Sequence, residues 1–428
     1  MAQSTDKTSD DNPISLPFNP KESTLMHIDI NSCFATIEQQ ANPQLRGRPV
    51  AVAAYTTDNG CILAASVEAK QLGIKTGMRV KDGKLIYPKL DILPPDPWKY
   101  RDAHMKLRNL LRTYTDNVIP KSIDEFILNM EGCPAFRHGI HNVGREVKAR
   151  IKKEIGDWIT VSVGIAPNRF LAKTAAGLRK PDGLDEINKD NFMEIYSGMS
   201  LMDLCGIKQR NAARLGSKGI YTVTDFYRSD VRTLKAAFQS INGYYWYLRL
   251  HGWEIDDVEF GRHSYGNSYA LPKPLVKIEE LAPILHKLVE KTGRRLRKGG
   301  YKARGIHVAV SYRDGSYWHH GHLTGKILFD SRDIYKEAYR ILCHSPYQKP
   351  VAILAESVFD LVDGDVSQTE LFEDVSKKER LSDALDFINE KWGDYVITPA
   401  RMLDTGEYVP DRISFGGVKE LEEFALGN

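Results

Sequence analysis

The chain has 428 residues, 42% of them apolar and 27% charged, a globular composition long enough for about three domains of ~150 residues and unlike that of a disordered or collagenous chain. Net charge is only +3, but 18 acids face 7 bases from Glu356 onward, so residues 1–355 carry +14 and the tail −11; a basic body suggests a polyanionic partner and an acidic tail a different task, against the alternative of solvated surfaces without consequence. No apolar run approaches the ~18 residues of a membrane span, the start MAQSTDKTSDDNPIS has no apolar signal core, and five scattered cysteines without a CxxC argue for free thiols and against zinc, so a soluble cytoplasmic protein is expected.

Residues 1–23 offer little to bury and are expected to be disordered. LMHIDI (Leu25 to Ile30) reads as an apolar strand ending at an acid, and NSCFATIEQQ after it has helical spacing. NPQLRGRPVAVAAY turns into a second strand, and GCILAASVEAKQLGIKTGM holds a strand, a helix and a glycine stop. Pro94, Pro95 and Pro97 precede an amphipathic helix, Lys99 to Tyr114. IPKSIDEFILNM suggests a strand hairpin, a basic helix (Val143 to Ile155) leads into the strand WITVSVGIA, and a helix from Asn168 to Leu178 stops at Lys180-Pro181-Asp182-Gly183. Alternating strands and helices make the first ~185 residues α/β or α+β.

Residues 188–250 change to short helices with glycine breaks. LMDLCGIKQRNAARLGSKGI gives a helix, a turn at Gly206 and a second helix from Lys208 onward. Such a hairpin can present backbone N–H groups to phosphates without reading sequence, though a plain αα-hairpin has the same pattern. WEIDDVEFGRHS reads as a linker. Beyond it, the stretches IHVAVSY, YWHHGHLT and ILAESVFDLV with helices Ile278 to Lys298 and Ile334 to Leu342 form an αβ module. Between Lys287 and Arg304 there are eight bases and one acid, including Arg294, Arg295, Arg297, Lys298 and Lys302. The stripe is either a solvated helix face or a track for phosphates; the second is preferred, because the cluster ends a helix and enters a strand.

Two acidic points interrupt apolar strands: Asp29, and Asp124 with Glu125. Carboxylates are costly to bury unless paired or coordinating a cation. If these strands are neighbours, three carboxylates converge as ligands for hard cations such as Mg²⁺, and two such ions can serve an in-line phosphoryl transfer. Alternatively, each acid caps a turn.

These stretches resemble the Y-family translesion DNA polymerases of the DinB/UmuC type. HIDINSCFATIE is similar to the family's first motif, DNGCILAASVEAKQLGIKTGM to its fingers motif, closest to the UmuC branch, and KSIDEFIL to its Ser-Ile-Asp-Glu motif. SVGIAPNRFLAKTAAGLRKPDGL resembles its triphosphate-lysine motif and LCGIKQRNAARLGSKGI its thumb hairpin. The five motifs run in family order from Leu25 onward.

The resemblance implies an α+β multidomain right hand. Its palm would be residues 24–33 and 97–184, fingers 34–96, thumb 185–254, a linker 255–264, a little finger 265–362 and a tail 363–428. It implies Asp29, Asp124, Glu125 and the Ile30 carbonyl as ligands of two Mg²⁺ ions, with Mn²⁺ able to substitute. Cys33, Phe34, Cys61, Leu63, Ala64, Lys70 and Lys173 would meet the incoming deoxynucleoside triphosphate, Lys173 at the β/γ-phosphates and Phe34 as the steric gate against a ribose 2′-hydroxyl. Primer–template DNA would meet Gly206, Lys208, Arg294, Arg295, Arg297, Lys298, Lys302 and Arg304.

This chain has Val67 and Lys70 where the DinB type usually has tyrosine and arginine, and Phe126, Ile127, Leu128 and Asn129 where the family prefers Ala, an aromatic, an aliphatic and Asp. Gln368, Leu371 and Phe372 resemble the peptide that bacterial polymerases insert into the sliding clamp; a helix start with two core residues is the bland reading. The function expected is a monomeric, Mg²⁺-dependent translesion polymerase of low fidelity and processivity. The rivals are a non-catalytic DNA- and clamp-binding scaffold, and a polymerase latent until a UmuD-like partner binds.

Overall fold

The computed structural model describes residues 16–258, 261–346, 348–364, 374–403 and 405–410. Two compact units result, the first extending to Val258 and the second running from Glu259 to Asp411.

In the first unit β1 (Leu25–Ile30) is buried along its whole length except at Asp29, which is half-buried. It leads into α1 (Cys33–Ala41) and a small module of β2 (Val50–Ala53), β3 (Ile62–Ala65), α2 (Val67–Gln71), α3 (Val80–Ile86) and β4 (Asp91–Leu93). That module has its own three-stranded sheet, β3-β2-β4, and a core of Ala51, Ile62, Ile74, Val80 and Leu90. Next comes α4 (Pro97–Leu111), which starts where the Asp96 carboxylate accepts from the N–H groups of Trp98 and Lys99, with Pro97 at its first position.

The chain then returns to the first sheet through β5 (Val118–Pro120), β6 (Glu125–Asn129), α5 (Ile140–Glu154), β7 (Val161–Ala166), α6 (Arg169–Leu178) and β8 (Leu184–Glu186), in the order β5-β6-β1-β7-β8. Val143, Val147 and Ile151 recur along one face of α5 and bury it in the core. Gly164 in β7 lets α6 lie directly on the sheet, since a Cβ there would stand 2.0 Å from the Ala172 carbonyl oxygen. The short helices α7 (Phe192–Ser197), α8 (Gln209–Gly216), α9 (Val223–Arg228), α10 (Val231–Phe238) and α11 (Asn242–Leu250) enclose Leu204, Ile207, Phe226, Leu234 and Trp246.

Residues 16–23 are ordered against these helices, contrary to the disorder expected for 1–23; residues 1–15 lie outside the described residues. Phe18 stacks on Phe192 with ring centroids 4.2 Å apart. The Leu16 N–H donates to the Tyr247 hydroxyl at 2.9 Å, and the Asn19 N–H to the His251 carbonyl at 2.8 Å. One aromatic anchor holds a segment whose composition is otherwise that of a loop.

The second unit has four long antiparallel strands and two helices on one face: β9 (Ser264–Leu275), α12 (Ile278–Lys298), β10 (Tyr301–Tyr312), β11 (Tyr317–Leu328), α13 (Ser331–Cys343) and β12 (Val351–Asp363), in sheet order β11-β10-β12-β9. Ile306, Val308, Val310, Leu354 and Val358 alternate inward beneath the helices. A further helix, α14 (Val375–Trp392), docks on α12 through charge rather than apolar burial: Ser382 is its only buried residue, while Leu381, Phe387 and Trp392 are exposed.

This contact engages most of the expected phosphate stripe within the chain. Arg294 pairs with Asp394, Arg297 with both carboxylate oxygens of Asp386 at 2.6 and 2.8 Å, Lys298 with Glu390 at 3.5 Å, and Lys302 with Glu379 at 2.7 Å. Arg295 donates to the Gly266 carbonyl and to Asn267 Oδ1. Of the DNA contacts expected in this unit, Lys298 and Arg304 are exposed, Lys298 at the end of α12 and Arg304 on β10. The acidic tail thus neutralises the helix face that looked free in sequence.

Candidate active site

Adjacent strands bring the acids together. Asp29 and Glu125 are cross-strand partners in the β1–β6 register, and the Ile30 N–H donates to the Asp124 carbonyl at 3.0 Å. Ser32, in a left-handed conformation at φ 53°, turns the chain from β1 into α1.

Two cavities flank the acids. The first, about 540 Å³, is lined by Asp29, Ile30, Cys33, Phe34, Leu63, Ala64, Lys70, Asp124 and Lys180. The second, about 690 Å³, is lined by His27, Asp124, Glu125, Lys173, Gly206, Trp246 and Arg249. Asp124 belongs to both.

A lysine meets the acids from each side. Lys173 of α6 donates to both oxygens of Glu125 at 2.7 and 2.8 Å, and Lys180 donates to Asp29. Burial pushes the Asp29 carboxyl above its ordinary value against the opposing effect of Lys180. Burial also raises Asp124, although Ser122 donates to it at 2.5 Å. At Glu125 burial acts in the same direction, but the bonds from Lys173 and the neighbouring positive charges outweigh it and hold the carboxyl below its ordinary value. Lys70, beside Lys180, is depressed by desolvation and by that like charge. The three carboxylates therefore sit where a cation is favoured, and lysines supply positive charge.

Among the described residues, one group of three His, Cys, Asp or Glu side chains brings ligand atoms within 4.8 Å of one another: His27, Asp29 and Glu125. Neither ring nitrogen of buried His27 has a hydrogen-bond partner, and burial pushes the ring down to about 3, so it is neutral. With Asp29, Asp124 and Glu125 the donor set is dominated by carboxylate oxygen, which suits a hard divalent ion.

Phe34 is buried and stacks on Tyr100, centroids 4.2 Å apart and planes 9° from parallel. The Tyr100 hydroxyl donates to Glu38 at 2.9 Å, and Lys99 holds the same carboxylate at 2.8 Å. Phe34 thus belongs to the core and to the cavity wall at once.

Several expected contacts are relocated. Lys173, expected at the triphosphate, lies on the Glu125 side with the second cavity, whereas the lysine in the cavity with Phe34 and Lys70 is Lys180, which sequence reasoning read only as a helix stop. Cys61 is exposed and bridges to Arg79, outside the wall that Leu63 and Ala64 form. Gly206, at φ 91°, makes the expected turn and borders the second cavity; Lys208 precedes α8 as its exposed N-cap. Gln368, Leu371 and Phe372 lie outside the described residues.

The impB/mucB/samB family matches residues 28–177, and the impB/mucB/samB family C-terminal domain matches residues 262–371. The chain is 34% identical over 393 residues to DNA polymerase IV of Moorella thermoacetica, spanning 89% of this chain and 96% of that protein. It is 30% identical over 404 residues to DNA polymerase IV 1 of Bacillus subtilis, spanning 92% and 97%. In structure it resembles a Y-family DNA polymerase chimera with a TM-score of 0.69 at 25% identity, covering 79% of this chain and 99% of the other. A Dbh DNA polymerase in an insertion ternary complex shares the fold, with a TM-score of 0.54 at 24% identity and the same coverage.

Proposed function

The chain belongs to the Y family of DNA polymerases and is a DNA-directed DNA polymerase of the translesion type, and from that premise we propose how its site works. Y-family polymerases use divalent metal ions, and Asp29, Asp124, Glu125 and the Ile30 carbonyl are the groups that would hold them here, as two Mg²⁺ ions for which Mn²⁺ can substitute. Once bound, such ions supply electrostatic stabilisation to the attacking and leaving oxygens of phosphoryl transfer.

The protein's own residues do the rest. Lys180 and Lys70 hold the triphosphate, in place of the Lys173 first expected there, and Lys173 orients Glu125. Phe34, braced by Tyr100, lies against the incoming sugar. Leu63 and Ala64 cover the nascent base pair, and their modest size suits low fidelity. Gly206 and Lys208 contact DNA phosphates, which gives sequence-independent binding. The first unit supplies palm, fingers and thumb, and the second the little finger, with α14 as an added layer. Val67 and Lys70 give the fingers a UmuC-like character within a chain whose curated relatives are named DNA polymerase IV. Gln368, Leu371 and Phe372 are assigned to a sliding clamp, and a UmuD-like partner stays compatible with this reading.

The observation that carries the reading is the meeting of Asp29 and Glu125 on two adjacent strands with Asp124 immediately before the second, flanked by Lys180 on one side and Lys173 on the other. The test is extension of a primer on a DNA template with Mg²⁺. Activity should follow the template, vanish with a chelator, and vanish in Asp124→Ala and Glu125→Ala. DNA affinity should persist in both variants, since phosphate contacts elsewhere supply it. Near-wild-type extension by either variant would remove these carboxylates from catalysis and favour the scaffold reading.

A further inference from the structure

The turn that carries Lys180 is held from both sides. On its inner side Lys180 reaches Asp29, and the Asp182 N–H donates to Asn31 Oδ1 at 2.8 Å. Asn31 is fixed in turn, because its amide donates to Ser162 Oγ at 2.8 Å and its oxygen accepts from Thr160 Oγ1 at 3.1 Å. On the outer side stands α5. Lys148, with its side chain only 17% exposed, donates to the Asp182 carbonyl and to the Gly183 carbonyl at 3.3 Å, and pairs with the Asp182 carboxylate at 3.2 Å. Lys152, one turn further along α5, takes the other carboxylate oxygen at 3.0 Å.

Asp182 has a φ of 61°, in the left-handed region that few non-glycine residues occupy. The surroundings must hold it there, and Lys148 alone reaches both carbonyls of the turn as well as the carboxylate. An ammonium has three donors; here it bonds two consecutive carbonyls of the turn while its charge faces the Asp182 carboxylate. That is more than a surface ion pair supplies, since it constrains backbone rather than a mobile side chain.

We infer that Lys148 is a positioning residue for nucleotide binding. It fixes the Lys180–Gly183 turn from behind and so sets where the Lys180 ammonium stands, without itself lining the cavity that holds Lys180. The inference rests on the reading of Lys180 as a triphosphate contact. Removing the Lys148 charge frees the turn, and small misplacements of a binding group cost rate and affinity steeply.

The test is a mutant cycle in steady-state single-nucleotide insertion by the full chain. Lys148→Met keeps the apolar stem and deletes the charge. It should raise the KM for each of the four deoxynucleotides by about tenfold, with a smaller change in kcat, and Lys148→Arg should recover part of the loss. Lys180→Ala should raise KM by itself, and Lys148→Met added to it should change KM by less than about twofold, because the group being positioned is gone.

A merely structural Lys148 would lower the melting temperature and multiply its effect fully onto Lys180→Ala; that outcome, or an unchanged KM in folded Lys148→Met, overturns the inference while leaving Lys180 in place. An unchanged KM in Lys180→Ala overturns both assignments. Asp182→Asn removes the same ion pairs and carries the same test should Lys148→Met fail to fold.

Discussion

In the first unit Asp29 and Glu125 are met by Lys180 and Lys173 beside open cavities, whereas in the second Arg294, Arg297, Lys298 and Lys302 are met by acids of the tail. Every one of these charges is paired within the chain, yet the consequences differ. A lysine at the wall of a cavity can exchange its carboxylate for another partner when a ligand enters. Arg297 cannot, because its guanidinium also donates to the Phe329 carbonyl at 2.8 Å and to Ser331 Oγ at 3.2 Å, locked between packed elements. Charge beside space is available for chemistry; charge between packed elements is structure.

Buried carboxylates sharpen the contrast most. Asp29 has Lys180, but Glu356 on β12 lies in the core of the second unit, with one oxygen accepting from Thr292 and the other without a hydrogen-bond partner. Burial pushes it up to about 8 from 4.5. The folded chain then keeps a proton that the unfolded chain releases, so stability is fully present below about pH 4.5 and is lost as pH rises through about 8. The linked loss is on the order of 5 kcal/mol. Glu356→Gln should flatten the fall of melting temperature between pH 5 and 8; an equal fall in the variant would show that Glu356 is not its source.

The tail pairs give smaller effects. Arg297→Gln leaves Asp386 unpaired and should cost about 2 kcal/mol, read as a lower melting temperature. Arg294→Gln with Lys298→Gln removes more exposed pairs and should cost under about 1 kcal/mol, with the salt dependence of DNA binding unchanged. A flatter salt slope in that double variant would return the stripe to phosphate contact.

What could be read from sequence follows the same division. LMHIDI and SIDEFIL announced a strand pair with acids because carboxylates inside apolar runs are conspicuous, and the periodicity of Ile278 to Lys298 gave a helix with the bounds observed. Lys180 was missed because a lone lysine in a KPDG turn has no periodic signal; its position follows from how Gly164 seats α6 on the sheet. The partners of the stripe were not legible because Arg297 and Asp386 are 89 residues apart in the chain, so pattern within a window shows the cations without their partners. Phe18 was overlooked for a related reason, since one aromatic residue in a polar segment does not alter its composition.

The most direct test of the central claim, that the cavity between Phe34 and Lys180 receives the incoming nucleotide, is the sugar selectivity of Phe34→Ala. Tyr100 stacks on the ring from one side, and the ring also lines the cavity. Truncation opens that volume without altering the carboxylates. Measured as the ribo-to-deoxy ratio of kcat/KM, selectivity should shift toward ribonucleotides by on the order of 10²-fold, about 3 kcal/mol of discrimination, with a much smaller loss of deoxynucleotide insertion. An unchanged ratio in a folded variant would make Phe34 a core residue only and place the nucleotide elsewhere.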